Sequence, residues 1–223
     1  MDSGPGIKKE TGEKEADMLK QVIFDIGNVL SDFQWAWVLE DCGFSKEVQE
    51  ILANGIFCHP LWDEYDRGVM GDDAVTAAVR KNCAGYEKEF DLLYSRFQEL
   101  VKERTYSAPL IRKLKEMGLH VYILSNYGET MYQANASRFA FLPEVDGAVF
   151  SYREKIMKPD AAIYQCLLER YSLKAEESLF LDDRMVNVEG ARAVGIHAEL
   201  ADSYETIRDA LKKYQIEIEI DCN

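Results

Sequence analysis

The sequence predicts an α/β fold, a Rossmann-like parallel sheet core carrying an inserted helical cap subdomain. Three observations support this. Short apolar runs at 22–24, 119–124 and 178–181 read as fully buried strands, and each stops abruptly at polar residues: Asp25, Ser125-Asn126 and Asp182-Asp183. Helical patterns alternate with these strands, the order that builds a parallel sheet. Between the first strand and the next, residues 34–104 hold helical patterns and no convincing strand, as an insertion into one sheet would.

Residues 1–17 are polar and charge-mixed, which predicts a disordered leader or cloning remnant outside the fold. The core is then expected at 18–33 and 105–223, with the cap at 34–104. The first strand, Val22-Ile23-Phe24, breaks at Asp25 into the turn residues Gly27 and Asn28. In the cap, Trp35, Val38 and Leu39 fall at helical spacing, and Ser45 is placed to cap a helix over 46–54. Asp72-Asp73 precede a helix over 74–81, and Phe90, Leu93, Phe97, Leu100 and Val101 predict a helix over 90–103. Residues 109–117 are amphipathic, with Gly118 as a stop, and lead into the second strand. A helical stretch over 128–139 precedes a short strand at 148–150. Lys158-Pro159-Asp160 opens a helix, with Pro159 at its first position. The fourth strand, 178–181, leads to a helix over 186–194 closed by Gly195, a fifth strand at 196–200 and a last helix over 204–214. Residues 215–220 alternate as QIEIEI, which fits an edge strand or a tail equally.

The 223 residues, 47% of them hydrophobic, suffice for one such domain with an insertion. A net charge of −14 argues against nucleic acid or anionic membranes as partners, since both need a basic surface. A small phosphate ester remains compatible, because a local cation and one lysine can override the global field. Five widely spaced cysteines without a C-x-x-C pattern fit reduced thiols in a cytoplasmic protein, and no apolar run reaches membrane-spanning length.

In a parallel sheet the carboxyl ends of the strands lie on one edge, where ligands bind. Asp25, Ser125, Asn126, Asp182, Asp183 and the helix-start Lys158 would converge there. Singly, each is ordinary turn, cap or surface chemistry. Jointly they suit phosphoryl transfer: carboxylates can hold Mg2+, one of them can attack phosphorus, and a hydroxyl and an ammonium can spread the transferred charge. The chain resembles the haloacid dehalogenase superfamily hydrolases, in the branch with a helical cap after the first strand. It is most similar to the glucose-1-phosphatase-like sugar phosphatases. FDIGNV, ILSN, KP before a helix, and FLDDRMVN stand in the family's order, and the likeness spans about residues 21–214.

The resemblance implies a Mg2+-dependent phosphatase of small phosphate monoesters, sugar phosphates such as sugar 1-phosphates among them. Asp25 would be the nucleophile and a metal ligand, and Gly27 would give the metal a backbone carbonyl. Ser125, Asn126 and Lys158 would bind the phosphoryl group, with Gly27 and Asn28 beside it. Asp183, with Asn187 four positions on, is favoured as the direct metal ligand and Asp182 as its support, with an exchange of the two roles left open. Most such phosphatases carry Asp at the position of Gly27, as general acid and base. Asp32 is a candidate replacement, and a sugar 1-phosphate would need less help because its leaving group is more acidic. Within the cap, Trp62–Arg67 is the stretch best suited to substrate contact, His59 fits a structural role better than a catalytic one, and Trp35 and Trp37 read as packing. The rival readings are a metal-independent 2-haloacid dehalogenase, for which the paired acids are unsuited, a catalytically weakened binding protein, and a phosphosugar mutase. Oligomeric state is open.

Overall fold

The computed structural model describes residues 18–220; the leader expected at 1–17, and Cys222, lie outside them. β1 (Gln21–Phe24) is followed by a short β2 (Ser31–Phe33), then by α1 (Trp35–Asp41), α2 (Lys46–Leu52), α3 (Leu61–Arg67), α4 (Asp72–Asn82) and α5 (Glu87–Ser95). β3 (Val101–Glu103) returns to the core through α6 (Ser107–Glu116). The remaining elements are β4 (His120–Ser125), α7 (Glu129–Asn135), β5 (Gly147–Phe150), α8 (Ser151–Glu154), α9 (Ala161–Tyr171), β6 (Ser178–Asp182), α10 (Met185–Ala193), β7 (His197–Leu200) and α11 (Tyr204–Lys213).

Five strands pair in the order β5-β4-β1-β6-β7, all parallel. Phe24 is level with Ile123 on one side and Leu181 on the other, so β1, β4 and β6 end together. The chain leaves β1 towards β4 and later crosses to β6, making the end of β1 a topological switch point. Both faces are buried, as the continuous apolar runs require. Val22, Phe24, Val121, Ile123, Leu179 and Leu181 join one core cluster, while Ile23, Tyr122, Leu124 and Phe180 join the other. Among the described residues no helix is long and apolar enough to cross a membrane.

Several local expectations give way. Residues 31–33 and 101–103 pair as an antiparallel ribbon, so the stretch predicted to be wholly helical is bounded by strands and the helix expected to reach 103 ends at Ser95. Three-residue strands carry too little periodicity to be read; their partner, not their sequence, makes them strands. The helix after Ser45, whose hydroxyl caps it by accepting from the Val48 N–H, continues as a π-helical turn over Ala53–Phe57. Pro159 precedes its helix instead of opening it; Asp160 is the cap and accepts from the Ala162 N–H. Residues 215–220 join no sheet, yet Ile216 and Ile218 are buried against the core.

The helical insert meets the core through Tyr65. Its hydroxyl accepts from the Met131 N–H at 2.8 Å, and its ring lies where a side chain on Gly128 would be. Gly128→Ala should therefore destabilise the protein by ~1–3 kcal/mol through overpacking. In a Tyr65→Ala background the same change should cost little, a coupling that a thermal-unfolding double-mutant cycle measures.

Candidate active site

Asp25 extends β1 by one residue, its N–H bonded to the Leu181 carbonyl at 2.9 Å. The sheet thus aims its carboxylate, and two groups hold Oδ1: the Ser125 hydroxyl donates at 2.7 Å and Lys158 Nζ lies at 2.9 Å. Oδ2 receives no protein hydrogen bond among the described residues.

Lys158 is 1% exposed and lies between two carboxylates, with Nζ 2.6 Å from Asp182 Oδ2. Burial opposes its charge, yet Asp182 and Asp25 hold its pKa above the ordinary lysine value. The backbone at Lys158 is fixed by Asn126, whose amide oxygen accepts from the Lys158 N–H at 2.9 Å and whose amide nitrogen donates to the Lys158 carbonyl at 3.0 Å. Asn126, expected at the phosphate, lines the same pocket as Asp25 and Lys158, and its side chain also sets the Lys158 backbone.

Asp182 is wholly buried, and accepts from the Arg184 N–H, Lys158 Nζ and Asn187 Nδ2. Asp183 is half-buried on the pocket wall, and its Oδ2 accepts from Asn28 Nδ2 at 2.9 Å. Asn28 has a positive φ of 55°, which turns the loop after β1 towards Asp183. Carboxylate oxygens of Asp25, Asp182 and Asp183 all lie within 4.8 Å of one another. With one ammonium among three carboxylates, the cluster carries an excess of negative charge. Burial, reinforced by Asp182, raises the Asp25 pKa to about 6 against the opposing Lys158, and burial also raises that of Asp183.

A hard divalent cation fits this donor set. It would relieve the excess charge, and oxygen ligands are what it prefers. A second sign is Asn187 Oδ1, a buried acceptor on the same pocket with no hydrogen-bond partner. Such an orphan is costly unless a donor such as cation-bound water meets it.

A pocket of about 150 Å³ opens over these groups, walled by Asp25, Gly27, Asn28, Lys158, Asp183 and Asn187 from the core. Trp62, Tyr65 and Asp66 of α3 close it from the insert. Ser125 is not on this wall; its hydroxyl is taken up by Asp25. Asp32 does not reach the site. Successive strand residues point to opposite faces, so Ser31 and Phe33 line the pocket while Asp32 turns away and pairs with Arg104 Nε at 2.7 Å. A Cβ at Gly27 would stand 3.9 Å from Asp25 Oδ2, an ordinary contact, so a side chain is absent there without steric need.

His59 accepts from the Leu61 N–H within its own turn, and Trp35 stacks on Phe57 at 5.1 Å. Tyr127 and Arg184, not singled out in the sequence, also line the pocket, and the Tyr127 hydroxyl is buried without a partner. Asp66 was legible only as part of Trp62–Arg67. Trp62, Tyr65 and Asp66 stand three and four apart, on one helix face.

The family described as haloacid dehalogenase-like hydrolase matches residues 19–195. The sesquiterpene phosphatase astK of Aspergillus oryzae is 26% identical, covering 84% of this chain and 92% of its own. Phosphatase MT3486 of Mycobacterium tuberculosis is 27% identical, covering 86% and 92%. A haloacid dehalogenase family enzyme from Bacteroides thetaiotaomicron, solved with magnesium and inorganic phosphate, shares the fold at a TM-score of 0.64 and 20% identity, covering 82% of this chain and 93% of its own.

Burial first, then the charges of Asp63 and Asp25, push the Asp66 carboxyl from 3.8 up to about 8. Between those values the folded chain keeps this proton and the unfolded chain does not, so stability falls as pH rises through the window and the contribution is gone above it. Metal-free Asp66→Asn protein should therefore melt above the parent at about pH 9, with the gap closing towards about pH 4, as thermal unfolding across pH will show.

Proposed function

The chain belongs to the haloacid dehalogenase-like hydrolases, and from that premise we propose that it is a Mg2+-dependent phosphatase of small phosphate monoesters acting through an aspartyl phosphate on Asp25. The observation that carries the reading is the bridge from Asp25 through Lys158 to Asp182, with Asp183 at its side. Ser125 and Lys158 orient the Asp25 carboxylate through Oδ1 and leave Oδ2 open to the pocket. Attack on phosphorus expels the alcohol and leaves phosphate esterified to Asp25; water then attacks that phosphorus, the P–O bond to Asp25 breaks, and inorganic phosphate departs.

Asp183 suits the role of metal ligand better than Asp182, whose oxygens are already occupied by Lys158, Arg184 and Asn187. Asp25 and the Gly27 carbonyl would complete the protein's share. When bound, the cation supplies charge neutralisation between nucleophile and phosphoryl oxygens. Lys158 provides a further positive charge, at Asp25 Oδ1. Dehalogenation without a metal is disfavoured, since nothing would then offset the clustered carboxylates.

Sugar phosphates suit a pocket that mixes Phe33, Trp62 and Tyr127 with Asn28 and Arg184. A second reading is an ester of an apolar alcohol. It is favoured by an apolar cavity, walled by Ile56, Phe57, Leu61, Phe90 and Phe97, that shares Trp62 and Tyr65 with the catalytic pocket, and by the sesquiterpene phosphatase among the relatives. The free thiols of Cys42, Cys58, Cys83 and Cys166 suit a reducing, cytoplasmic setting.

Phosphate release should be measured on sugar 1-phosphates, sugar 6-phosphates, nucleotides and prenyl phosphates, with Mg2+ and with chelator. Activity is expected only with Mg2+, and Asp25→Asn should lose at least ~10³-fold. Mg2+ at 100 times its Kd should stabilise the parent by ~2.7 kcal/mol and Asp183→Asn far less, by thermal shift. Undiminished turnover in chelator, or chloride release from 2-haloacids, would overturn the assignment.

A further inference from the structure

Gly27 offers no side chain to give or take a proton two residues after Asp25, and Asp32 faces away. Among the described residues, the one carboxyl of the catalytic pocket besides Asp25 and Asp183 comes from the insert: Asp66, near the C-terminal end of α3. Its side chain makes no hydrogen bond or ion pair with any described residue. It lines the same pocket as the nucleophile, on the part of the wall that the insert supplies.

Its position is fixed from several directions. The Asp66 carbonyl accepts from the Ser151 hydroxyl at 2.6 Å, and the Gly68 carbonyl accepts from Lys155 Nζ at 2.5 Å. One residue earlier, Tyr65 is held by the Met131 N–H. Its electrostatic surroundings are Asp63 on its own helix and Asp25, Lys158, Arg184 and Tyr127 from the core. A carboxyl at a helix C-terminus also meets the negative end of the helix dipole, which favours the protonated form.

We propose that Asp66 is the general acid and base of this enzyme, supplied by the helical insert in place of the side chain that Gly27 lacks. This rests on the phosphatase reading above. In the first step Asp25 forms its bond to phosphorus, the P–O bond to the alcohol breaks, and the Asp66 proton passes to that oxygen. In the second, water adds to phosphorus, its proton passes to the Asp66 carboxylate, and the bond to Asp25 breaks. Asp66 ends protonated, as it began, and no other reactant is needed.

The test is the leaving-group dependence of kcat/KM, which reports through the first P–O cleavage. Asp66→Asn should lose ~10²–10⁴-fold on alkyl phosphates, whose oxygen must be protonated, and about threefold or less on p-nitrophenyl phosphate, which leaves as a stable anion. With p-nitrophenyl phosphate the variant should also show a burst of one product per enzyme followed by slow turnover, because water attack has lost its base. Asp66→Glu should recover part of the alkyl phosphate activity. Equal losses on both substrates, or no loss on either, would overturn the proposal, with melting temperatures establishing that the variants fold. Asp25→Asn, run in parallel, separates the two ideas. If it abolishes turnover while Asp66→Asn affects both substrates alike, the phosphatase reading stands and the Asp66 assignment falls; if it leaves turnover intact, both fall.

Discussion

The structure depends on one buried ammonium. Lys158 Nζ is nearly inaccessible, yet it is ringed by Asp25 and Asp182 at ion-pair distance. Removing one partner from such a buried arrangement costs about 3–5 kcal/mol, because the charge left behind is neither solvated nor paired. The arrangement holds only if each group arrives in register. Asp25 is delivered by β1, Asp182 by β6, and Lys158 by a loop that Asn126 grips through both backbone groups. Asn187 Nδ2 then donates to Asp182 Oδ1, which Lys158 leaves open, at 2.9 Å. Stability and chemistry share these contacts: the interactions that hold the carboxylates together also leave them net negative and suited to a cation.

The sheet makes that register cheap to achieve. β1 lies between β4 and β6, and the chain crosses from one side of it to the other between their strands. Loops on either side of a switch point diverge and leave a crevice. Here the crevice floor is Asp25, with Ser125 on the β4 side and Asp182 and Asp183 on the β6 side. None of these residues needs a special backbone conformation to face the others; the parallel pairing brings their strand ends level. The loop after β1 does take an unusual turn, where Asn28 has a positive φ and reaches Asp183.

This division explains what the sequence revealed. Apolar runs ending in acids were legible because a strand buried on both faces has no room for polar residues until it ends. Asp25, Lys158, Asp182 and Asp183 could therefore be gathered before any coordinates, and the structure brings them together. Asp32 misled because its closeness to Asp25 in sequence says nothing about side-chain direction. β2 was not recognised as a strand, so its alternation could not be applied. Asn126 shows a different limit: its place in the motif puts it on the pocket wall but does not show that its amide also holds the Lys158 backbone. Asp66 could not be selected within WDEYDR, since which face of α3 meets the core depends on the Tyr65–Gly128 contact, a tertiary fact. The QIEIEI tail shows the same limit, for its alternation records burial of Ile216 and Ile218 without any pairing.

Locating the acid on the insert changes what the insert does. A core acid two residues after the nucleophile would be ready whenever the sheet is folded. A carboxyl on α3 is ready only while α3 is seated, and the seat is small: Tyr65 against Gly128 and the Met131 N–H, the Asp66 carbonyl on Ser151, Gly68 on Lys155. Trp62 and Tyr65, which line the same pocket, belong to the same helix as Asp66. An alcohol that disturbs α3 would then lose protonation as well as fit, so recognition and the chemical step would fail together. Discrimination between leaving groups would appear mainly in kcat/KM, because the interaction that rejects a poor fit also controls the transition state.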